Sequence, residues 1–144
     1  MHHLLNGVVH PWLCDMMGHF TTRHYMAMFD DASYQLMAEA VGWDRNDPQW
    51  QGRGWADVRH EIEYVGELRA GDLLTVSGGI KTIGNSSLTI NFVMTNKLTG
   101  KLAATMMSKS VYFDLDARRA TPITELMRER MQGYLIAESL ANNL

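Results

Sequence analysis

Two hydrophobic rhythms divide this chain. Across residues 22–41, Tyr25, Phe29, Ala32, Leu36 and Ala40 recur at steps of three or four, which places them on one face of a helix. Met26, Met28, Met37 and Val41 widen that face, so the helix is expected to be buried on more than one side. Gly42 is a suitable stop. Residues 44–54 (DRNDPQWQGRG) carry proline, two glycines and no period, and read as a loop. Beyond them the period falls to two. Leu88, Ile90, Phe92 and Met94 alternate with polar neighbours, as do Val111 and Phe113, the mark of strands with one buried face. Four strands are expected, at 55–64, 72–83, 86–95 and 101–115. The short Gly- and Asn-containing turns between them imply antiparallel hairpins. Gly78-Gly79 and Gly84 read as bulges or bends. Ahead of the helix, residues 8–13 suggest one more strand, edge or irregular because Pro11 removes a ladder donor. Thr121-Pro122 opens a last helix, with Thr as N-cap and Pro at the first helical position. Ile123, Leu126 or Met127, Met131 and Tyr134 give that helix its apolar face.

The order is strand, long helix, four strands, short helix, with no repeat or linker dividing residues 1–144. One antiparallel sheet must cover a helix that is apolar on several sides. The expected fold is α+β and a single domain: a curved sheet of about five strands wrapped around the long central helix, with a short C-terminal helix. Such a sheet has open edges, and side-by-side pairing of two copies is the simplest remedy, so a homodimer or homotetramer is expected.

Composition adds exclusions. Apolar residues are 46% of the chain and charged residues 20%, a globular balance. The net charge is −3 with no Lys/Arg cluster, which argues against a nucleic-acid partner. No apolar run approaches the roughly 20 residues of a membrane helix, and the first residues lack a signal peptide's basic start and apolar stretch. Cys14 is the only cysteine, so no internal disulfide forms. A cytoplasmic protein is expected. Eleven methionines supply deformable apolar surface for a core or an acyl pocket.

Chemistry concentrates in residues 12–25 (WLCDMMGHFTTRHY), where a carboxylate, a glycine turn and a histidine precede a helix start. The first amides of a helix lack intrahelical acceptors and suit negative charge, including the oxyanion of an attacked carbonyl. An acid one turn upstream can act on the same carbon as nucleophile or activate a water there. This stretch resembles the D-x-x-G-H-x-N-x-x-x-Y signature of hotdog-fold thioesterases, the 4-hydroxybenzoyl-CoA and acyl-carrier thioesterase group. The matching residues are Asp15, Gly18, His19 and Tyr25. Residues 64–72 (YVGELRAGD) look like the family's Y-x-x-x-L-x-x-G-D turn between two sheet strands.

The resemblance implies a hotdog fold and hydrolysis of an acyl-CoA thioester without a cofactor. Asp15 falls on the catalytic carboxylate and the Thr22 amide on the donor to the thioester carbonyl. His19 falls on a position that shapes the pocket or aids catalysis, and Gly18 permits the turn, with Tyr25 beside it among the substrate-binding positions. Thr21 and Thr22 stand where the family often has Asn. Arg59 and Lys81, with Lys109 and Arg118, are candidates for the phosphates of CoA.

Each residue also has a structural reading. An Asp before a helix can simply form a turn, Cys14 is expected to be an inert core residue, His24 to lie on the helix surface, and Tyr25 in the core. Asp30-Asp31 read as a solvated patch, although Asp31 could face the pocket. The six histidines form no metal-ligand pair, and no metal is expected. Trp12, Trp43, Trp50 and Trp55 serve either as core and loop anchors or as walls for an aryl or quaternary ammonium acyl group. Two alternatives stay open: an acyl-CoA hydratase or dehydratase of the same fold, and a non-catalytic acyl-CoA binding module.

Overall fold

The structure is a computed structural model and describes residues 1–137. Its sheet is built from β1 (His2–Val8), β2 (Arg53–Tyr64), β3 (Leu73–Ile83), β4 (Ser87–Asn96) and β5 (Leu102–Asp114), in the spatial order β1-β3-β4-β5-β2. Every pairing is antiparallel, and a two-residue β6 (Arg119–Ala120) extends the end of β5. The sheet curls into a half-barrel around α1 (Thr22–Leu36), which continues as a π-turn (Met37–Val41) into a 20-residue helix, and α2 (Glu125–Met131) follows the strands.

Alternation along the strands explains the core. Leu74, Val76 and Ile80 of β3 and Leu88, Ile90, Phe92 and Met94 of β4 all point to the concave side and are shut from solvent. The buried stripe of α1, Tyr25, Phe29, Ala32 and Leu36, fills that hollow, with the Phe29 and Phe92 rings 6.2 Å apart. Full burial of a side chain the size of Phe29 contributes about 1.5–3 kcal/mol. The helix packs against β3 and β1. Toward β5 and β2 the concave face becomes polar, with buried Ser108 and Ser110 beside His60 and Asp57. A bulge at Val58 breaks the β2 register between Asp57 and Arg59, so that Asp57 and His60 both face inward.

Most expected elements appear within a residue or two. The first strand is displaced: it occupies His2–Val8 rather than 8–13, and Pro11–Leu13 forms a 3-10 turn. The last helix begins later, because Thr124, not Thr121, accepts the capping bond from the Met127 amide at 3.3 Å, while the Thr121 amide donates to Tyr112 at the end of the sheet. Gly78 and Gly79 sit in regular pairing and the bulge falls at Lys81. Residues 65–72 are not a hairpin turn. They cross from β2 on one edge to β3, which pairs with β1 and β4 on the far side of the sheet.

The long helix ends at Gly42, whose φ of 78° is left-handed and whose amide donates to Met37. A Cβ there would be strained by the backbone conformation and would meet the Arg130 guanidinium. Gly42→Ala should therefore lower unfolding free energy by about 1–2 kcal/mol, measured by denaturant titration. A variant as stable as the parent would show that this cap is not what ends the helix.

Candidate active site

The site begins as a hairpin. The Asp15 amide donates to the His19 carbonyl at 2.9 Å, the Gly18 amide donates to the Asp15 carbonyl at 3.0 Å, and Cys14 bridges Phe20. Gly18 takes φ 76° at the tip with nothing near its missing Cβ, a backbone state that glycine adopts without penalty. The Asp15 carboxylate closes the loop from inside. Its Oδ1 accepts from the Met17 amide at 2.9 Å and the His19 amide at 3.1 Å. Its Oδ2 has no hydrogen-bond partner among the described residues. The turn-forming role therefore falls on Oδ1 alone.

The hairpin docks on the crossover after β2. The Phe20 amide donates to Leu68 at 2.7 Å and His19 bridges Arg69. The Thr21 amide donates to Leu13 at 3.0 Å, which fixes the start of α1 directly beside the Asp15 loop. Thr21 is the N-cap, but its side chain caps nothing. The Thr22 and Arg23 amides thus open the helix with no acceptor among the described residues, the arrangement that favours a negative ligand atom.

Between this helix start and the crossover lies a cleft of about 210 Å³, lined by His19, Phe20, Thr22, Tyr25, Tyr64, Val65, Gly66 and Glu67. Tyr25 is 4% exposed and its hydroxyl donates to the Gly66 carbonyl at 3.4 Å. Burial pushes its phenol pKa up, the Leu68 backbone opposes this, and the neighbouring Tyr64, Glu67 and Asp72 act with burial, so it stands as a neutral donor. The His19 Nε2 lies 3.3 Å from Glu67, which also pairs with Arg69 at 3.1 Å. Asp15 does not line the cleft itself; it is one hydrogen bond away, through the His19 amide.

Asp15, Gly18, His19, Thr22 and Tyr25 are brought together. Arg59 and Lys81 are not: they lie on β2 and β3, with Arg59 paired to Glu61 and Lys81 lining a separate hollow with Glu61, Glu63 and Asn91. That hollow is on the convex face, since Asn91 alternates with the helix-facing Ile90 and Phe92. Cys14 is half-buried with its thiol toward the His10 carbonyl at 3.7 Å, and no histidine partners it among the described residues. His24 accepts from Arg23 at 3.3 Å on the helix surface. No group of three metal-ligating side chains occurs among the described residues. No described helix is long and apolar enough to cross a membrane.

Sequence reasoning missed Glu67, Arg69 and Tyr64 as members of the site. The 64–72 motif held the signal, but nothing local in it says that the segment packs against the Asp15 hairpin.

Comparison with known proteins returns the same fold. A predicted thioesterase from Bacillus stearothermophilus superposes with a TM-score of 0.81 at 24% identity, covering 92% of this chain and 95% of that one. A hypothetical protein from Staphylococcus aureus, solved in complex with CoA, gives 0.84 at 18% identity over 96% and 92%. A 1,4-dihydroxy-2-naphthoyl-CoA thioesterase from Synechocystis gives 0.76 at 15% identity over 88% and 93%. These likenesses establish the hotdog fold. Comparison with curated proteins returns no match. The profile of the thioesterase-like superfamily matches residues 9–131, most of the chain and all of the site, and the chain belongs to that superfamily.

Proposed function

We propose that this protein hydrolyses an acyl-CoA thioester to the free acid and CoA. The observation that carries the reading is the Thr21 amide bond to Leu13, which sets the start of α1 next to the Asp15 hairpin and leaves the Thr22 amide with no acceptor among the described residues. The amide polarises the thioester carbonyl and holds the negative charge that develops on its oxygen. Asp15 Oδ2 then acts in one of two ways. As nucleophile it bonds to the carbonyl carbon, expels the CoA thiolate and leaves a mixed anhydride that water cleaves. As general base it takes a proton from an attacking water and returns it to the departing sulfur. Tyr25 and His19 shape the cleft, and Gly18 lets the loop turn.

The solved relative crystallised with CoA supports a CoA ligand. The phosphates of that ligand call for cations, and Arg59 and Lys81, with Lys109 and Arg118, remain the proposed contacts. Arg23, beside Thr22, and Arg69 stand closer to the cleft. A homodimer or homotetramer belongs to the same proposal. β2 is a 12-residue edge strand, and Val58, Tyr64 and Val65 on and beside it are more than half exposed, as an edge covered by a second copy requires. A second reading, hydration of an enoyl-CoA, draws on the His19–Glu67 pair, two groups able to donate and accept a proton at the same cleft.

Asp15→Asn separates the roles of the carboxylate. The amide oxygen still accepts from Met17 and His19, so the hairpin persists, while basicity and nucleophilicity are lost. Turnover should fall by a factor of about a hundred or more with an unchanged melting temperature, and Cys14→Ala should be nearly silent. Near-normal kcat in Asp15→Asn would remove the catalytic assignment. Neutralising a cation that holds the nucleotide should raise KM for acyl-CoA with little change in kcat, and should spare a pantetheine thioester lacking the nucleotide. Equal losses on both substrates would place that residue in another role. Light scattering should return a multiple of the 16.3 kDa chain mass, and a monomer at micromolar concentration would contradict the assembly.

A further inference from the structure

Beyond the helix start, the gap between α1 and β2 opens into a second cavity, of about 330 Å³. Among the described residues, three aromatics, Tyr34, Trp43 and Trp55, and two carboxylates, Asp30 and Asp57, line it, and no Lys or Arg does. The aromatic walls are braced from behind. Trp43 stacks on Trp50 at 6.3 Å, and Tyr112 packs on Trp55 at 5.1 Å and on Trp50 at 6.1 Å. Asp57 is aimed by Ser110, which is 2% exposed and donates to its Oδ1, and His60 lies 3.4 Å from its other oxygen. The Trp55 Nε1 is shut from solvent and has no partner among the described residues.

This lining discriminates among ligands. An anion would face two carboxylates. A plain alkyl chain would strip water from those carboxylates and give nothing back. A neutral polar group could satisfy the acids but would make little use of three ring faces. An organic cation uses both features, through Coulomb attraction to the acids and cation–π contact with the rings. We infer that this cavity receives an alkylated ammonium group carried by the acyl part of the substrate. The inference rests on the thioesterase reading and names the substrate class of that site.

Position along the fold connects the cavity to the reaction. Within one copy, Thr22 and the Asp30–Tyr34 segment are separated by 8 to 12 helical residues, or about 12–18 Å at 1.5 Å per residue, too far for a short acyl group. Full-length antiparallel pairing of β2 with the same strand of a second copy sets the Arg53 end of one against the Tyr64 end of the other. The Trp55–Asp57 cavity of one copy then abuts the Thr22–Tyr64 cleft of the next, and a short cationic acyl group spans the two.

The test compares trimethylammonioacetyl-CoA with 3,3-dimethylbutanoyl-CoA, a neutral thioester of the same shape. The cationic substrate should have the higher kcat/KM, by about tenfold or more. Asp57→Asn, Asp30→Asn and Trp55→Leu should each lower that ratio. Asp30 is exposed on the helix, so its variant reports even if changes at the sheet impair folding. Tetramethylammonium is titrated in parallel against tryptophan fluorescence. Hydrolysis with a ratio near one, or a ratio indifferent to both Asp substitutions, would overturn the cation site and leave the thioesterase reading standing. If neither thioester is cleaved but tetramethylammonium binds the parent and not Asp57→Asn, the cavity stands as a cation site and the assignment of that cation to the acyl part of the substrate falls.

Discussion

Val76, Ile90, Phe92 and Met94 line the concave side of the sheet and none reaches solvent; the stripe of α1 that covers them must run the length of the hollow. Burial of this apolar surface is the main favourable term in the fold, and it fixes where the helix begins. The start of α1 must come at the open end of the half-barrel. There the Asp15 hairpin and the 65–72 crossover meet, and their mutual hydrogen bonds lock the helix N-terminus beside a carboxylate. The catalytic proposal is thus a consequence of covering one curved sheet with one helix.

The same constraint accounts for the cavities. Because α1 leans on β3 and β1, the side toward β2 is left as a trough. Midway along β5 and β2 the inward residues Ser108, Ser110, Asp57 and His60 are polar rather than aliphatic. A sheet selected for stability alone would fill that trough with Val and Leu. Its polar floor and aromatic end walls are what a ligand site needs, and a bulge at Val58 turns both Asp57 and His60 into it.

Much of the fold was legible in the sequence because its signals are local. The alternation from Leu88 to Met94, the glycine and asparagine turns and the helical spacing from Tyr25 to Ala40 each specify an element without reference to the rest of the chain. The first strand was misplaced because His2-His3-Leu4-Leu5-Asn6-Gly7 does not alternate; pairing with β3, not pattern, makes it a strand. The last helix started late because Ile123 and Thr121 are held by the sheet, through amides donating to Asn85 and Tyr112. At the site, Asp15, Gly18, His19, Thr22 and Tyr25 were visible as one short motif. Glu67 and Arg69 were not, since their place opposite His19 depends on a crossover that only the three-dimensional path reveals. Trp43 and Trp55 read as either anchors or walls; both line the cavity between α1 and β2, with Trp50 and Tyr112 packed behind them.

The account turns on thioester cleavage at the helix start, and the most direct measurement follows free thiol with a thiol reagent while the protein acts on a panel of short, medium, long, aromatic and cationic acyl-CoAs, with enoyl-CoA absorbance recorded alongside. Catalytic release of CoA thiol from at least one of them, with the enoyl absorbance unchanged, is the result the proposal predicts. No thiol release from any thioester, together with loss of the enoyl absorbance, would contradict it and assign the His19–Glu67 pair to hydration instead.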